Sequence, residues 1–239
     1  MGSVAAVMDE VIQAVAAWAP ERLAFHTAAQ AADFALPSPP RVVGNGFDLD
    51  RYHPPDAAAV EPVLGWAGRI APEKGLEDAA LVAARLGMTL RVWGLREDDA
   101  YAARVEASVP AGTIHWGGFL PTDRFQAELG RCQVFLNTPK WNEAFGNVVV
   151  EAMACGVPVA AYGRGGPAEL VIEGVNGCLA RPDDLEALAQ AVRAAAALDR
   201  AACRAQAELL HSQTAFTARI EAWLLAVHQA AHRDGAAAP

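Results

Sequence analysis

No apolar run in this chain reaches the roughly 18 residues that a membrane-spanning helix needs. The opening Met1-Gly2-Ser3-Val4 lacks the basic start of a secretory signal. Cysteine is scarce: Cys132, Cys155, Cys178 and Cys203 are widely spaced, with no CxxC and no paired histidines nearby, so no zinc site is expected. They read as small buried hydrophobes in a reducing cytoplasm. Excess positive charge is missing too. The formal net charge of −9 excludes a general nucleic-acid binder, whose surface is basic. Any anion site therefore rests on a few placed cations and backbone amides. None of His26, His53, His115, His211 and His228 pairs with a serine or cysteine, so a nucleophilic triad is not supported. There is no internal repeat.

What is present is a chain of 239 residues, 53% of them hydrophobic, enough for a full core. Val4 to Ala19 reads as an Ala-rich helix ended by Pro20, followed by a short strand near 22–27 and a short helix from Ala28 to Phe34. Pro37-Ser38-Pro39-Pro40 is the clearest break, and the segment before it is too small to bury a core of its own. Beyond it, short apolar runs alternate with amphipathic stretches. The strands are expected at Arg41–Val43, Val63–Trp66, Thr89–Val92, Thr113–Trp116, Gln133–Leu136, Val157–Ala160 and Gly177–Leu179. The helices are expected at Leu76–Leu86, Asp98–Ser108, Asp123–Leu129, Gly146–Cys155, Pro167–Ile172 and Asp184–Leu198. That alternation predicts an α/β fold with a doubly wound parallel sheet, Rossmann-like, whose ligands sit beyond the carboxyl ends of the strands. Ala201 to Ala231 is expected to be helical. Phe216, Ile220, Trp223, Leu224 and Val227 form one apolar side, without the flanking lysines of a membrane-surface helix. The end, Asp234 to Pro239, is expected to fray. The division is then 1–39, 40–200 and 201–239.

Four polar side chains stand out on the expected ligand edge. Glu151 is the only charged residue between Val148 and Tyr162, and an unpaired carboxylate there is costly to bury, so it needs a hydrogen-bonding task. Glu143 precedes Phe145-Gly146-Asn147, where the chain enters a helix whose free amides at Phe145, Gly146, Asn147 and Val148 can receive phosphate. With a helix starting near Gly146, Glu151 lies about 7 Å further along the axis. Two acids bracketing a phosphate site suit a ligand with hydroxyls on both sides of a phosphate, as in a nucleotide sugar. The alternative makes Glu143 a loop acid and Glu151 a buried cap of backbone amides. In Gly68-Arg69-Ile70-Ala71-Pro72-Glu73-Lys74-Gly75, Arg69 and Lys74 sit at a strand-to-helix turn suited to clamping a diphosphate. The alternative there is that Lys74 pairs with Glu73 or Asp78 at the surface. Arg164-Gly165-Gly166-Pro167-Ala168-Glu169 and Asn45-Gly46-Phe47-Asp48 are better read as turns.

In this order, Gly44-Asn45-Gly46-Phe47-Asp48, Gly68-Arg69 with Lys74-Gly75, Glu143-Ala144-Phe145-Gly146-Asn147, Glu151 to Val159, Gly165-Gly166 with Glu169, and Gly174 to Gly177 resemble the family-4 retaining glycosyltransferases of the two-domain GT-B fold. The likeness runs from about residue 41 to 195 and covers the carboxyl-terminal, donor-binding half. It implies a transferase in which Arg69 and Lys74 bind the diphosphate. Glu143 and the amides from Phe145 to Val148 would hold the sugar and its phosphate, and Glu151 the ribose. Trp116-Gly117-Gly118-Phe119, with Gly117 and Phe119 among the donor-binding residues, would line the base pocket. The resemblance implies metal-free transfer, without a cofactor, from a nucleotide-sugar donor to an acceptor hydroxyl of a glycan, lipid or small molecule, with retention. The expected location is cytoplasmic, with the inner membrane surface as the alternative. The family's amino-terminal acceptor domain is represented by about forty residues, resembling its last helix and strand. A truncated chain, a fragmentary gene or a partner-supplied half each accounts for that. A non-catalytic nucleotide-sugar-binding module is the competing reading, separated by an assay of sugar transfer. A nucleotide-dependent oxidoreductase is disfavoured, because no GxGxxG follows the first strand with an acid about twenty residues later.

Overall fold

The computed structural model of the protein describes residues 3–236. Six strands make one parallel sheet: β1 (Glu61–Ala67), β2 (Thr89–Trp93), β3 (Ile114–Gly118), β4 (Cys132–Asn137), β5 (Val159–Tyr162) and β6 (Gly177–Ala180). Their spatial order is β3-β2-β1-β4-β5-β6, with every pairing parallel. This is the doubly wound order, with its reversal between β1 and β4. Side chains alternate between the two faces, as the period of a strand requires. Leu64, Trp66, Leu90, Val92, Val134 and Leu136 join one core, and Trp93, Phe135, Val159 and Ala161 the other. The first core is covered by α3 (Leu76–Leu86), α4 (Asp99–Ala107) and α8 (Leu185–Ala195), the second by α5 (Thr122–Gly130), α6 (Asn147–Ala154) and α9 (Arg200–His211).

Local chemistry sets the helix ends. Asp98 caps α4 by accepting from the Tyr101 amide at 2.8 Å, and Asp184 caps α8 from Glu186 and Ala187 at 3.0 Å. The four cysteines are free and buried, as expected, and burial pushes the Cys132 and Cys155 thiols up to about 12.

Several expectations need correction. The strands near 22–27 and 41–43 reduce to one bridge between Phe25 and Val42. The helix at Ala28 is a single turn, α2 (Ala28–Ala31), and α7 is short (Pro167–Leu170). The strand expected at Val157 starts at Val159, because the Val157 amide instead closes α6 on the Ala152 carbonyl at 2.8 Å. Asn45–Asp48 is no turn: Phe47 lies alongside Ser212, with its amide on the His211 carbonyl at 2.8 Å and its carbonyl taken by Gln213. That bridge coincides with the break of the terminal helical stretch into α9 and α10 (Gln213–Ala236).

The helix α1 (Ser3–Trp18) and α10 flank the Pro20–Arg22 turn, where the Trp223 indole donates to the Glu21 carbonyl at 2.8 Å. Leu224 and Leu225 remain exposed on α10. The helix continues through Asp234 to Ala236, and 237–239 of the end expected to fray lie outside the described residues. No helix among the described residues is long and apolar enough to cross a membrane.

Candidate functional site

The strand order reverses between β1 and β4, so the loops leaving their carboxyl ends diverge and frame a crevice. Segment 68–75 follows β1, and segment 138–146 follows β4. The two are stitched together: Lys140 donates its amide to the Glu73 carbonyl at 2.8 Å, and the Thr138 hydroxyl donates to the Gly75 carbonyl at 2.8 Å. Gly75 has φ 67°, and a Cβ there would collide with the Thr138 carbonyl oxygen, so only glycine permits this approach. Gly146 enters α6 with φ 97°, and no side chain caps that helix. Its first amides are thus left without the usual side-chain acceptor.

Two contiguous cavities open here. One, of about 350 Å³, is lined by Lys74, Asn137, Glu143 and the start of α6. The other, of about 280 Å³, is lined by Trp93, Gly94, Leu95, Phe119 and Glu151. Gly68, Arg69 and Val148 border both. Arg69 and Val148 therefore stand at the junction, Lys74 and Phe145 to Asn147 in the first lobe, and one acid lies in each lobe.

Each charged group is held. The Lys74 ammonium donates to Glu143 Oε1 at 2.7 Å, both side chains being less than a fifth exposed, and it also sits 5.2 Å from the centre of the Trp141 ring. Arg69 reaches Glu97 and, at 2.7 Å, Glu73; these acids raise its already high pKa, the Glu97 hydrogen bond foremost. Glu151 Oε1 accepts from the Tyr52 hydroxyl at 2.9 Å. Burial raises the Glu151 pKa, and the tyrosine bond acts against that rise. Asn137 is 6% exposed and its side-chain oxygen has no partner, which is costly unless a ligand completes it.

Of the residues singled out from sequence, Gly68, Arg69, Lys74, Glu143, Phe145, Gly146, Asn147 and Val148 border the first lobe, and Phe119 and Glu151 border the second. Gly117 does not. It lies in a separate depression with Arg91 and His115, and a Cβ on it would strike the Trp93 ring, so its smallness serves packing. Lys74 pairs with neither Glu73 nor Asp78, since Arg69 holds the first and Lys140 and Tyr162 hold the second. Glu169 accepts from the Ala28 and Ala29 amides, capping α2 rather than its own helix. Sequence reasoning missed Tyr52, Asn137, the Trp93–Leu95 wall and Asn45, whose amide donates to Asn147 Oδ1 at 2.9 Å.

A doubly wound sheet with a two-lobed, cation-bordered crevice at its reversal places the chain among the α/β proteins that take their ligands at such a switch point. The family described as "Glycosyl transferases group 1" matches residues 61–197, and the chain belongs to it. Among curated relatives, the 2-deoxystreptamine glucosyltransferase of Streptomyces kanamyceticus is 37% identical over 139 residues, 55% of this chain and 35% of that protein. The GDP-mannose-dependent alpha-mannosyltransferase of Mycolicibacterium smegmatis is 37% identical over 138 residues, 58% of this chain and 34% of that one. The chain thus spans about a third of the length of these relatives. Among solved structures, Anabaena HepE in complex with UDP and glucose superposes with a TM-score of 0.75 at 22% identity, over 90% of this chain and 67% of that one. AviGT4, a glycosyltransferase involved in avilamycin A biosynthesis, gives a TM-score of 0.75 at 25% identity, over 86% of this chain and 64% of that one. The sheet and its flanking helices are those of one half of a GT-B glycosyltransferase.

Proposed function

We propose that this chain is the donor-binding half of a family-4 retaining glycosyltransferase, and that its two-lobed crevice holds a nucleotide sugar. One observation carries the reading: Arg69 and Val148 at the uncapped start of α6 stand where two lobes meet, Lys74 lies beside them in the first lobe, and each lobe has its own carboxylate. The diphosphate lies at that junction, where cations and amides act in a partly dehydrated setting and are strongest. The sugar fills the lobe of Glu143, whose carboxylate accepts from its hydroxyls. The nucleoside fills the other lobe, with the ribose diol on Glu151 and the base between Phe119 and Leu95.

In the transfer, the acceptor oxygen forms its bond to the anomeric carbon on the face the leaving diphosphate vacates. A diphosphate oxygen takes the acceptor proton, so configuration is retained without a protein nucleophile. Arg69 and Lys74 stabilise the charge that builds on the leaving group. Lys74 must exchange Glu143 for phosphate as donor binds. The acceptor is met on the open side of the crevice, by a domain of the kind that the longer relatives have room for. Residues 1–39 then belong with that acceptor half, and residues 40–200 form the donor unit.

Calorimetric titration tests this with UDP, GDP and their glucose, N-acetylglucosamine and mannose conjugates. Arg69→Ala and Lys74→Ala should each weaken nucleoside diphosphate binding about tenfold or more, the worth of one charge-assisted hydrogen bond. Variants that bind like the parent would refute the clamp.

A further inference from the structure

We propose that Tyr52 is a positioning residue for Glu151, turning its carboxylate to the ribose and thereby setting the preference for ribonucleotides; this rests on the reading of Glu151 above. Tyr52 follows the turn Leu49–Arg51 and is only 6% exposed. The backbone around it is held without help from its hydroxyl. The Arg204 guanidinium donates to the carbonyls of Leu49, Tyr52 and Ala154 at 3.2, 2.6 and 2.7 Å, tying the turn to the end of α6. The His53 amide donates to Gln126 Oε1 at 3.0 Å. The hydroxyl is therefore delivered to Glu151 Oε1 by a frame that stands without it.

Glu151 Oε1 is taken by Tyr52, and among the described residues no donor reaches Oε2, while the side chain borders the nucleoside lobe. A vicinal diol can donate to Oε2 and share Oε1, which has a second lone-pair direction free. Among the described residues no cation is paired with this carboxylate. Burial favours its protonated form, and the Tyr52 hydrogen bond is what opposes that. A phenylalanine at 52 would keep the ring and remove that opposition. The acid then takes up a proton at higher pH than in the parent, and one acceptor site is lost to the proton.

The test compares UDP, or GDP if that is the base bound, with its 2′,3′-dideoxy counterpart across pH 6 to 8.5. The proteins are the parent, Tyr52→Phe, Glu151→Gln and the double variant. The diphosphate titrates alike in both nucleotides, so the ribo-to-dideoxy affinity ratio isolates the diol. Tyr52→Phe should lower that ratio about tenfold, with the loss growing toward the acid end. Glu151→Gln should lower it at every pH, and the double variant should be no worse than Glu151→Gln alone. A Tyr52→Phe ratio and pH profile matching the parent's would overturn the proposal while Glu151→Gln still sustains the ribose reading. Equal weakening of both nucleotides would overturn it in favour of a packing role. A parent with no preference for ribose, or an unaffected Glu151→Gln, would instead remove the assignment of Glu151.

Discussion

Removing either partner of the Lys74–Glu143 pair should cost more than removing both. The ammonium and carboxylate are 2.7 Å apart, with side chains 17% and 16% exposed. At an effective dielectric near 20 their attraction is roughly 6 kcal/mol, most of it offset by the loss of hydration. Lys74→Met leaves the carboxylate without its partner, since Arg69 is held by Glu73 and Glu97, a loss of about 3 kcal/mol; Glu143→Ala strands the ammonium at similar cost. The double variant strands nothing and should lose about 2 kcal/mol, leaving a coupling energy of about 4 kcal/mol. With a urea slope near 3 kcal/mol per M, each single variant shifts the unfolding midpoint by about 1 M, which denaturation followed by circular dichroism resolves. Repeating the cycle in saturating UDP adds a second check. If Lys74 leaves Glu143 for phosphate, the coupling should shrink. Single effects that add to within about 0.5 kcal/mol would refute the pair as an energetic unit.

Two further outcomes follow from the geometry. Gly75→Ala should destabilise the fold by more than about 2 kcal/mol and weaken nucleotide binding, because a left-handed φ of 67° and the Thr138 carbonyl both oppose a Cβ. Gly87→Ala, at φ 66° with open space around it, should cost only about 1 kcal/mol and leave binding alone; equal effects in thermal melts and calorimetry would contradict the close-approach argument. His211 is 7% exposed, and burial, then the Arg219 charge, push its pKa down to about 4. The folded state thus favours the neutral ring, whose contribution is full above the unfolded value of 6.5 and lost as pH falls towards 4. Parent stability should fall by about 3 kcal/mol across that window relative to His211→Gln. Parallel pH profiles from urea titrations would show that the ring is not held neutral.

The fold was legible where the signal was local. Leu76–Leu86 emerges with the expected bounds because glycines with positive φ stand at both ends. The strands of the central sheet announce themselves by apolar runs at the pace of a doubly wound fold. The same holds for Arg69, Lys74, Glu143 and the start of α6, since a strand, its loop and the next helix place them on one sheet edge. Positions set by distant contacts were not legible. Tyr52 reaches Glu151 across 99 residues through a turn clasped by Arg204, and no periodicity marks that turn. The partner of Lys74 lies 69 residues away because its sequence neighbours Glu73 and Asp78 are engaged elsewhere. Gly117 is ambiguous because small residues after a strand suit both a ligand and a bulky neighbour, here the Trp93 ring.

The most direct measurement is the diffraction structure of crystals grown with UDP or GDP. A donor site at the reversal requires the diphosphate between Arg69, Lys74 and the amides of Phe145 to Val148, with the ribose on Glu151 and the Lys74–Glu143 contact opened. A nucleotide seated away from the reversal between β1 and β4, or one whose phosphates touch neither cation, would contradict it.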